Sequence, residues 1–145
     1  MGTDIGAKIG IDGEAAFRSS LSAINSQLKA LGGEMKTVIS AFSGMENSEE
    51  ATAAKSDVLQ RSIAASVQKI ETLKAQSDRA KEKLSALADE LENAQREFGE
   101  NSEQALRAQI AYNRQVIAVN NLESQINRAT TEMNRFGDEM RDLGN

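Results

Sequence analysis

The sequence has no cysteine and no histidine among its 145 residues. Without cysteine, the chain can form no disulfide and offers no thiol nucleophile or thiolate metal ligand. Without histidine, it lacks the side chain that most often serves as a general base or as a metal ligand. We therefore expect that the protein is not an enzyme, that it binds no cofactor, and that it holds no metal ion.

Proline and tryptophan are also absent, and aromatic residues make up only 3% of the sequence. Proline is the strongest helix breaker, so its absence permits long uninterrupted helices. Aromatic side chains contribute much of the volume of a globular core, and this chain has few of them. The composition therefore favours extended helices over a compact domain.

Charge and hydropathy argue against two further kinds of partner. The net charge is −5, and no segment is basic enough to act as a binding surface for nucleic acid. No apolar run approaches the ~20 residues of a membrane-spanning helix. The first residues also lack the basic and apolar regions of a signal peptide. We expect no nucleic-acid partner, no membrane segment and a soluble intracellular origin.

The large apolar residues follow one heptad grid from Phe17 to Leu143. They occupy two sets of positions that alternate by three and four residues, as the a and d positions of a coiled coil do. Counting alanine as apolar, 30 of these 37 positions qualify, against roughly 14 expected by chance. Such a narrow apolar seam must pair with another helix. The sequence therefore predicts an all-α fold of long coiled-coil helices.

Two breaks divide the chain into three predicted helices. Residues 13–45 form the first helix, and residues 46–145 form a helical hairpin or coiled coil. Gly44 opens the first break, and Asn47 followed by Glu50 has the spacing of a capping box. Residues 1–12 differ because apolar and polar residues alternate in them. This period of two predicts a short extended N-terminal arm, with a disordered leader as the equal alternative.

The second break, at residues 98–102, has two interpretations. Gly99 suits the position after a helix, and Asn101 or Ser102 can cap the next one. An antiparallel αα-hairpin, with paired residue numbers summing to about 201, would set Lys69 beside Glu132. The alternative is one continuous helical rod, because the grid keeps its phase across the break. The hairpin is favoured, and the continuous rod remains the alternative.

The last predicted helix carries apolar residues outside the grid. Leu106, Ile110, Val116 and Ile117 make it apolar on more than one side, which predicts a bundle of three or more helices. The same helix carries a stripe of arginines at one heptad position. The stripe consists of Arg107, Arg114, Arg128 and Arg135. Pairing with glutamates four residues away explains this stripe better than contact with phosphate or with an acidic partner does.

The seam supplies the predicted contacts with a partner chain. These contact residues are Phe17, Leu21, Ile24, Leu28, Leu84, Leu87, Leu91, Tyr112, Val119, Leu122 and Ile126. The expected partners include copies of the same chain, joined in a coiled-coil bundle.

Two segments resemble the N-terminal region of phage tail tape measure proteins. The first runs from Lys8 through Asp12-Gly13 to Phe17, and the second is Leu31-Gly-Gly-Glu-Met-Lys36. The strings Ile70–Lys74 and Phe98–Ser102 are also similar to that family. The resemblance implies contact roles for Ile9, Ile11 and Phe17.

The resemblance also implies a function and a location. Tape measure proteins are long helical proteins that fill the lumen of a growing tail, and their length sets the tail length. Tail tube protein polymerises around them, and tail assembly chaperones deliver them. The expected locations are the virion and, during assembly, the host cytoplasm. Family members are longer, which implies that this chain is part of a larger protein. The alternative function is a helical-hairpin binding module, or a chaperone-like coiled-coil protein, that holds a partner helix.

Overall fold

The protein is described here by a computed structural model that covers the backbone of residues 2–144 and the side chains of residues 13–144. It consists of three α-helices: α1 (Gly2–Ala41), α2 (Glu49–Phe98) and α3 (Glu103–Leu143). The described residues form no β-strand. The prediction of an all-α fold with three helices is therefore confirmed.

The N-terminal segment differs from the prediction. The backbone is helical from Gly2 onward, so the extended arm predicted for residues 1–12 is wrong wherever this segment is described. A lone strand leaves its backbone N–H and C=O groups without partners, whereas a helix satisfies them within itself. Met1 and the side chains of residues 2–12 lie outside the described part of the chain.

The first break lies between α1 and α2 and turns at Gly44, whose φ of +86° is in the left-handed region. Glycine adopts this conformation without the steric cost that a Cβ would add. The next helix is capped by Ser48, whose Oγ accepts a hydrogen bond from the Ala51 N–H at 3.2 Å. The sequence had indicated Asn47 for this role. The cap lies one residue further on, directly before Glu49 at the start of α2.

The second break lies between α2 and α3 and, like the first, combines a left-handed glycine with a serine cap. Gly99 has a φ of +94°, and its N–H donates to the Gln95 carbonyl oxygen at 3.0 Å. Ser102 caps α3 by accepting from the Ala105 N–H at 3.1 Å. Its hydroxyl also donates to the Gly99 carbonyl oxygen at 2.7 Å. The chain turns here, as the hairpin prediction required and the continuous rod did not.

The chain divides into two compact units. Unit 1 contains residues 1–72 and 128–145, and unit 2 contains residues 73–127. In unit 2, α2 and α3 pack as the two arms of the hairpin. The Gln115 Nε2 of α3 donates to the Ala80 carbonyl oxygen of α2 at 2.9 Å. Leu73, Val119 and Leu122 are buried in this unit.

Unit 1 contains segments of all three helices. Its core joins Ile24 and Leu31 of α1 to Val58 and Ala65 of α2. Val58 and Ala65 lie outside the heptad grid, and the grid residue Leu59 beside them is also buried. This segment of α2 is therefore buried along two stripes, one on the heptad grid and one beside it. The sequence predicted two-sided contact for α3, and among the described residues of this single chain it is α2 that has it.

The off-grid residues of α3 are largely exposed. Leu106, Ile110 and Ile117 keep 54%, 52% and 59% of their surface accessible, and Val116 is half-buried. Their exposure leaves an apolar stripe without a covering element among the described residues. We call Leu106, Ile110 and Ile117 the α3 outer stripe.

Candidate functional site

Unit 1 contains a groove between α1 and α3, with α2 as its floor. It has a volume of about 540 Å³ and is open to solvent along one side. We call it the α1–α3 groove. Its lining residues are Leu28, Leu31, Gly32, Met35, Lys36 and Ile39 of α1, Lys55, Val58, Leu59 and Ser62 of α2, and Glu132, Arg135, Phe136, Glu139, Asp142 and Leu143 of α3.

The wall formed by α1 owes its shape to helical spacing and to one glycine. Leu28, Leu31, Met35 and Ile39 recur every three or four residues, which places them on one face of α1. Gly32 lies among them without a side chain, and a Cβ added there would meet no atom within 4 Å. Ile39 remains 49% exposed. The groove therefore presents apolar surface that no described part of the chain covers.

The rim of the groove is charged, and its basic and acidic residues are unevenly distributed. Lys36 and Lys55 lie on the side formed by α1 and α2, whereas Glu132, Glu139 and Asp142 lie on α3. Glu139 forms an ion pair with Arg135 at 3.7 Å. Glu132 forms no ion pair among the described residues. A partner with an apolar stripe and basic residues along one flank would therefore complement this groove.

Arg135 also packs against an aromatic ring of the groove. Its guanidinium carbon lies 5.1 Å from the centre of the Phe136 ring, which is within the range of a cation–π contact. Both partners of Arg135, the Phe136 ring and the Glu139 carboxylate, therefore lie on α3 itself.

A second charged cluster in unit 1 joins α1 to α2. Arg61 contacts Glu34 of α1 and Asp57 of α2, each with an N–O distance of 2.8 Å. Its hydrogen bonds to Asp57 raise the pKa of Arg61 above its ordinary value. Because all three side chains are about half exposed or more, this cluster contributes little stability, and we assign it an orienting role.

Every predicted seam contact residue whose side chain the structure describes is buried or half-buried within the single chain. Ile24, Val119 and Leu122 are buried, and the others that the structure describes are half-buried. These others are Phe17, Leu21, Leu28, Leu84, Leu87, Leu91, Tyr112 and Ile126. The side chains of Ile9 and Ile11 lie outside the described residues. Of the predicted contact residues whose side chains the structure describes, only Leu28 lines the α1–α3 groove.

The charge predictions for α3 are confirmed in part. Arg107 pairs with Glu103 and Arg135 pairs with Glu139, each four residues apart. The described residues include neither the predicted pair of Arg128 with Glu132 nor the predicted pair of Lys69 with Glu132. Arg114 also forms no ion pair within the described part of the chain.

The lining of the groove suits the binding of a partner. Among the described residues, no cluster of acidic residues could hold a metal ion. No helix within the described residues is long and apolar enough to cross a membrane. The groove offers apolar surface, a charged rim and the hydroxyl of Ser62, which already donates to the Val58 carbonyl oxygen at 2.9 Å. This combination suits a helix or another amphipathic ligand.

The heptad analysis missed the floor of this groove. A signal was present, because Ala51, Val58, Ser62 and Ala65 recur at helical spacing beside the grid. All four are buried. Small residues in such a row allow close approach of a second helix, so their spacing could have indicated that α2 packs on two sides.

No protein-family model, curated protein or solved structure matches this chain.

Proposed function

We propose that this chain is a structural component of a phage or prophage tail, in which it acts as a tape measure and scaffold for tail tube assembly. The observation that carries the proposal is the length of its helices, which contain 40, 50 and 41 residues. A helix advances 1.5 Å per residue, so a chain built in this way converts residue number into distance. The resemblance of Lys8–Phe17 and Leu31–Lys36 to tape measure proteins supports the same function.

The hairpin changes how distance follows from residue number. In unit 2, α2 and α3 run side by side, so two residues are used for each 1.5 Å of hairpin length. A tape measure with this fold would be shorter than its fully extended helix. The proposed partners are tail tube protein, tail assembly chaperones and further copies of the chain. The proposed locations are the tail lumen and, during assembly, the host cytoplasm.

Tail length after a matched deletion tests this proposal. Removing residues 81–94 and 107–120 takes two heptads from each arm and keeps the phase of both seams. If the hairpin persists in the tail, electron microscopy should show tails shorter by about 21 Å. Shortening by about 42 Å would mean that the tape measure works in an extended form. Unchanged tails on intact particles would contradict the tape measure function.

A matched control separates length from sequence. Residues 81–94 and 107–120 can be replaced by other heptads of equal length that keep apolar residues at the seam positions. Tail length should then stay unchanged, because the helical rise depends on residue number and not on residue type.

A second candidate function is a helical binding module or chaperone-like protein. The α1–α3 groove favours it, because an apolar channel with a charged rim is the surface on which an amphipathic helix docks. This function predicts a discrete soluble complex with a partner helix and no dependence of tail length on chain length. Purification from an infected or induced host, followed by determination of the mass of the complex, would distinguish it from the tape measure function.

A further inference from the structure

The α3 outer stripe and the α1–α3 groove match each other in length. The stripe runs from Leu106 to Ile117, and the groove runs from Leu28 to Ile39 on one wall and from Glu132 to Leu143 on the other. Each of these segments spans an 11-residue step along a helix, or about 16 Å.

The two surfaces also match in polarity. Leu106, Ile110 and Ile117 occur at helical spacing and lie on one face of α3, where they form an apolar stripe that Asn113 interrupts between Ile110 and Ile117. All three are more than half exposed. Single exposed apolar residues are ordinary on a protein surface, but three on one helix face indicate an interaction surface.

Charge complementarity indicates which surface binds in the groove. Arg107 and Arg114 flank the outer stripe on one side and lie seven residues apart. Glu132 and Glu139 lie on the α3 rim of the groove and are also seven residues apart. Both spacings correspond to about 10 Å, so two arginines of a docked stripe would face two glutamates. Arg114 and Glu132 form no other ion pair among the described residues.

The two surfaces cannot meet within one chain. Leu106–Ile117 and Glu132–Leu143 belong to the same unbroken helix, α3. A segment of a straight helix cannot turn back onto a later segment of that helix. The stripe that fills a groove must therefore come from another molecule.

We propose that the α3 outer stripe of one copy of this chain docks in the α1–α3 groove of a second copy. Each copy then carries one donor surface and one acceptor surface, so the contact is heterologous. Such contacts lead either to closed rings or to open-ended chains. This inference does not rest on the proposed tail function.

The first test follows the mass of the purified full chain by sedimentation velocity from micromolar to millimolar concentration. The proposal predicts a weight-average mass that rises with concentration beyond that of a dimer or levels off at the mass of a ring. A chain that remains monomeric throughout would overturn it.

Two pairs of variants locate the contact. Ile110→Ser together with Ile117→Ser should weaken association by at least about tenfold, because two apolar side chains leave the interface. Val67→Ser is the matched control, since Val67 is an exposed apolar residue on α2. Gly32→Arg should block the groove, whereas Gly33→Arg adds the same side chain to the same helix outside the groove lining.

Both glycine variants should fold, because a Cβ at either position meets no atom within 4 Å. Far-ultraviolet circular dichroism checks that helix content is retained. Equal effects of Gly32→Arg and Gly33→Arg, or association unaffected by the stripe variant, would overturn the proposal.

Mixing the two blocked variants tests the heterologous geometry directly. The stripe variant retains an intact groove, and Gly32→Arg retains an intact stripe. At a concentration at which each variant alone is monomeric, the mixture should form a complex of one copy of each. A mixture that remains monomeric would overturn the proposal, because the remaining intact pair of surfaces would then have failed to bind.

Discussion

At the residue scale, two serines on neighbouring turns of α2 have different surroundings. Ser62 is 4% exposed, and its hydroxyl donates to the Val58 carbonyl oxygen. Ser66 is 2% exposed, and its hydroxyl has no hydrogen-bond partner among the described residues. A buried hydroxyl without a partner costs about 1–3 kcal/mol of desolvation free energy. Ser66 is therefore a position at which the sequence is not optimised for stability.

Replacing Ser66 by alanine should raise the free energy of unfolding by about 1 kcal/mol, because the unpaired hydroxyl is removed and little volume is lost. Ser62→Ala is the control, and it should leave stability unchanged or lower it by about 0.5–1.5 kcal/mol, since a formed hydrogen bond is lost. Urea unfolding followed by circular dichroism measures both. If Ser66→Ala destabilised the chain as much as Ser62→Ala, the hydroxyl of Ser66 would have a partner in solution.

Glu46 is a second residue whose environment is set locally. Its Oε1 accepts a hydrogen bond from the Gly44 N–H at 2.8 Å. This bond, followed by one from its own backbone N–H, lowers the pKa of Glu46 from its ordinary value of 4.5. The carboxylate thereby holds the tight turn after α1.

We expect an NMR titration to give Glu46 a pKa below 4.5. Since the pKa is lower in the folded chain than in the unfolded one, the contribution of Glu46 to stability is present above the unfolded pKa. It is lost as the pH falls through the folded pKa. The stability difference between the wild type and Glu46→Gln should therefore shrink in acid. A titration midpoint at or above 4.5 would show that the Gly44 hydrogen bond does not form in solution.

At the element scale, the two helix starts have the same design. The string Glu-Asn-Ser-Glu-x-Ala occurs at residues 46–51 and again at residues 100–105. In both copies the serine caps the helix, through Ser48 and Ser102. In both copies the alanine whose N–H is capped is buried, with Ala51 at 0% and Ala105 at 2% exposure. The repeated string therefore encodes both the start of a helix and its first buried contact.

Replacing either capping serine by alanine should lower the free energy of unfolding by about 1 kcal/mol, because one backbone N–H loses its acceptor. Ser102→Ala should have the larger effect, since its hydroxyl also donates to Gly99. Asn47→Ala and Asn101→Ala are the matched controls, with expected changes within about 0.5 kcal/mol. Larger losses from the asparagine variants in thermal unfolding would assign the caps to the asparagines.

At the scale of the whole molecule, the chain buries few large side chains. In unit 1 the core rests on Ile24, Leu31, Val58 and Ala65. In unit 2 Leu73 is completely buried between the arms of the hairpin. With so small a core, stability depends strongly on each large apolar residue in it.

Leu31→Ala and Leu106→Ala are the same change at opposite extremes of burial, with Leu31 4% and Leu106 54% exposed. Leu31→Ala should lower the free energy of unfolding by about 2–5 kcal/mol, because it leaves a cavity in unit 1. Leu106→Ala should change it by less than about 0.5 kcal/mol. Urea unfolding at low protein concentration, where association is weakest, measures both. Similar losses at the two positions would contradict the assigned core.

The sequence by itself determined the features that depend on neighbours along the chain. The absence of proline and the heptad spacing predicted three long helices, and Gly99 followed by Asn101 or Ser102 predicted the second turn. These features follow from local backbone preferences and from the period of a single helix. The first cap was misplaced by one residue, because Asn47 and Ser48 can both act as helix caps and only the backbone geometry distinguishes them.

The tertiary structure decided which helix faces are covered. The sequence marks both Val58 of α2 and Ile110 of α3 as apolar residues outside the grid, yet Val58 is buried and Ile110 is exposed. The period of a helix identifies an apolar face, but it contains no information on how many other helices lie near that face. For the same reason the α1–α3 groove was not predictable, because its walls and floor come from three helices that only the fold brings together.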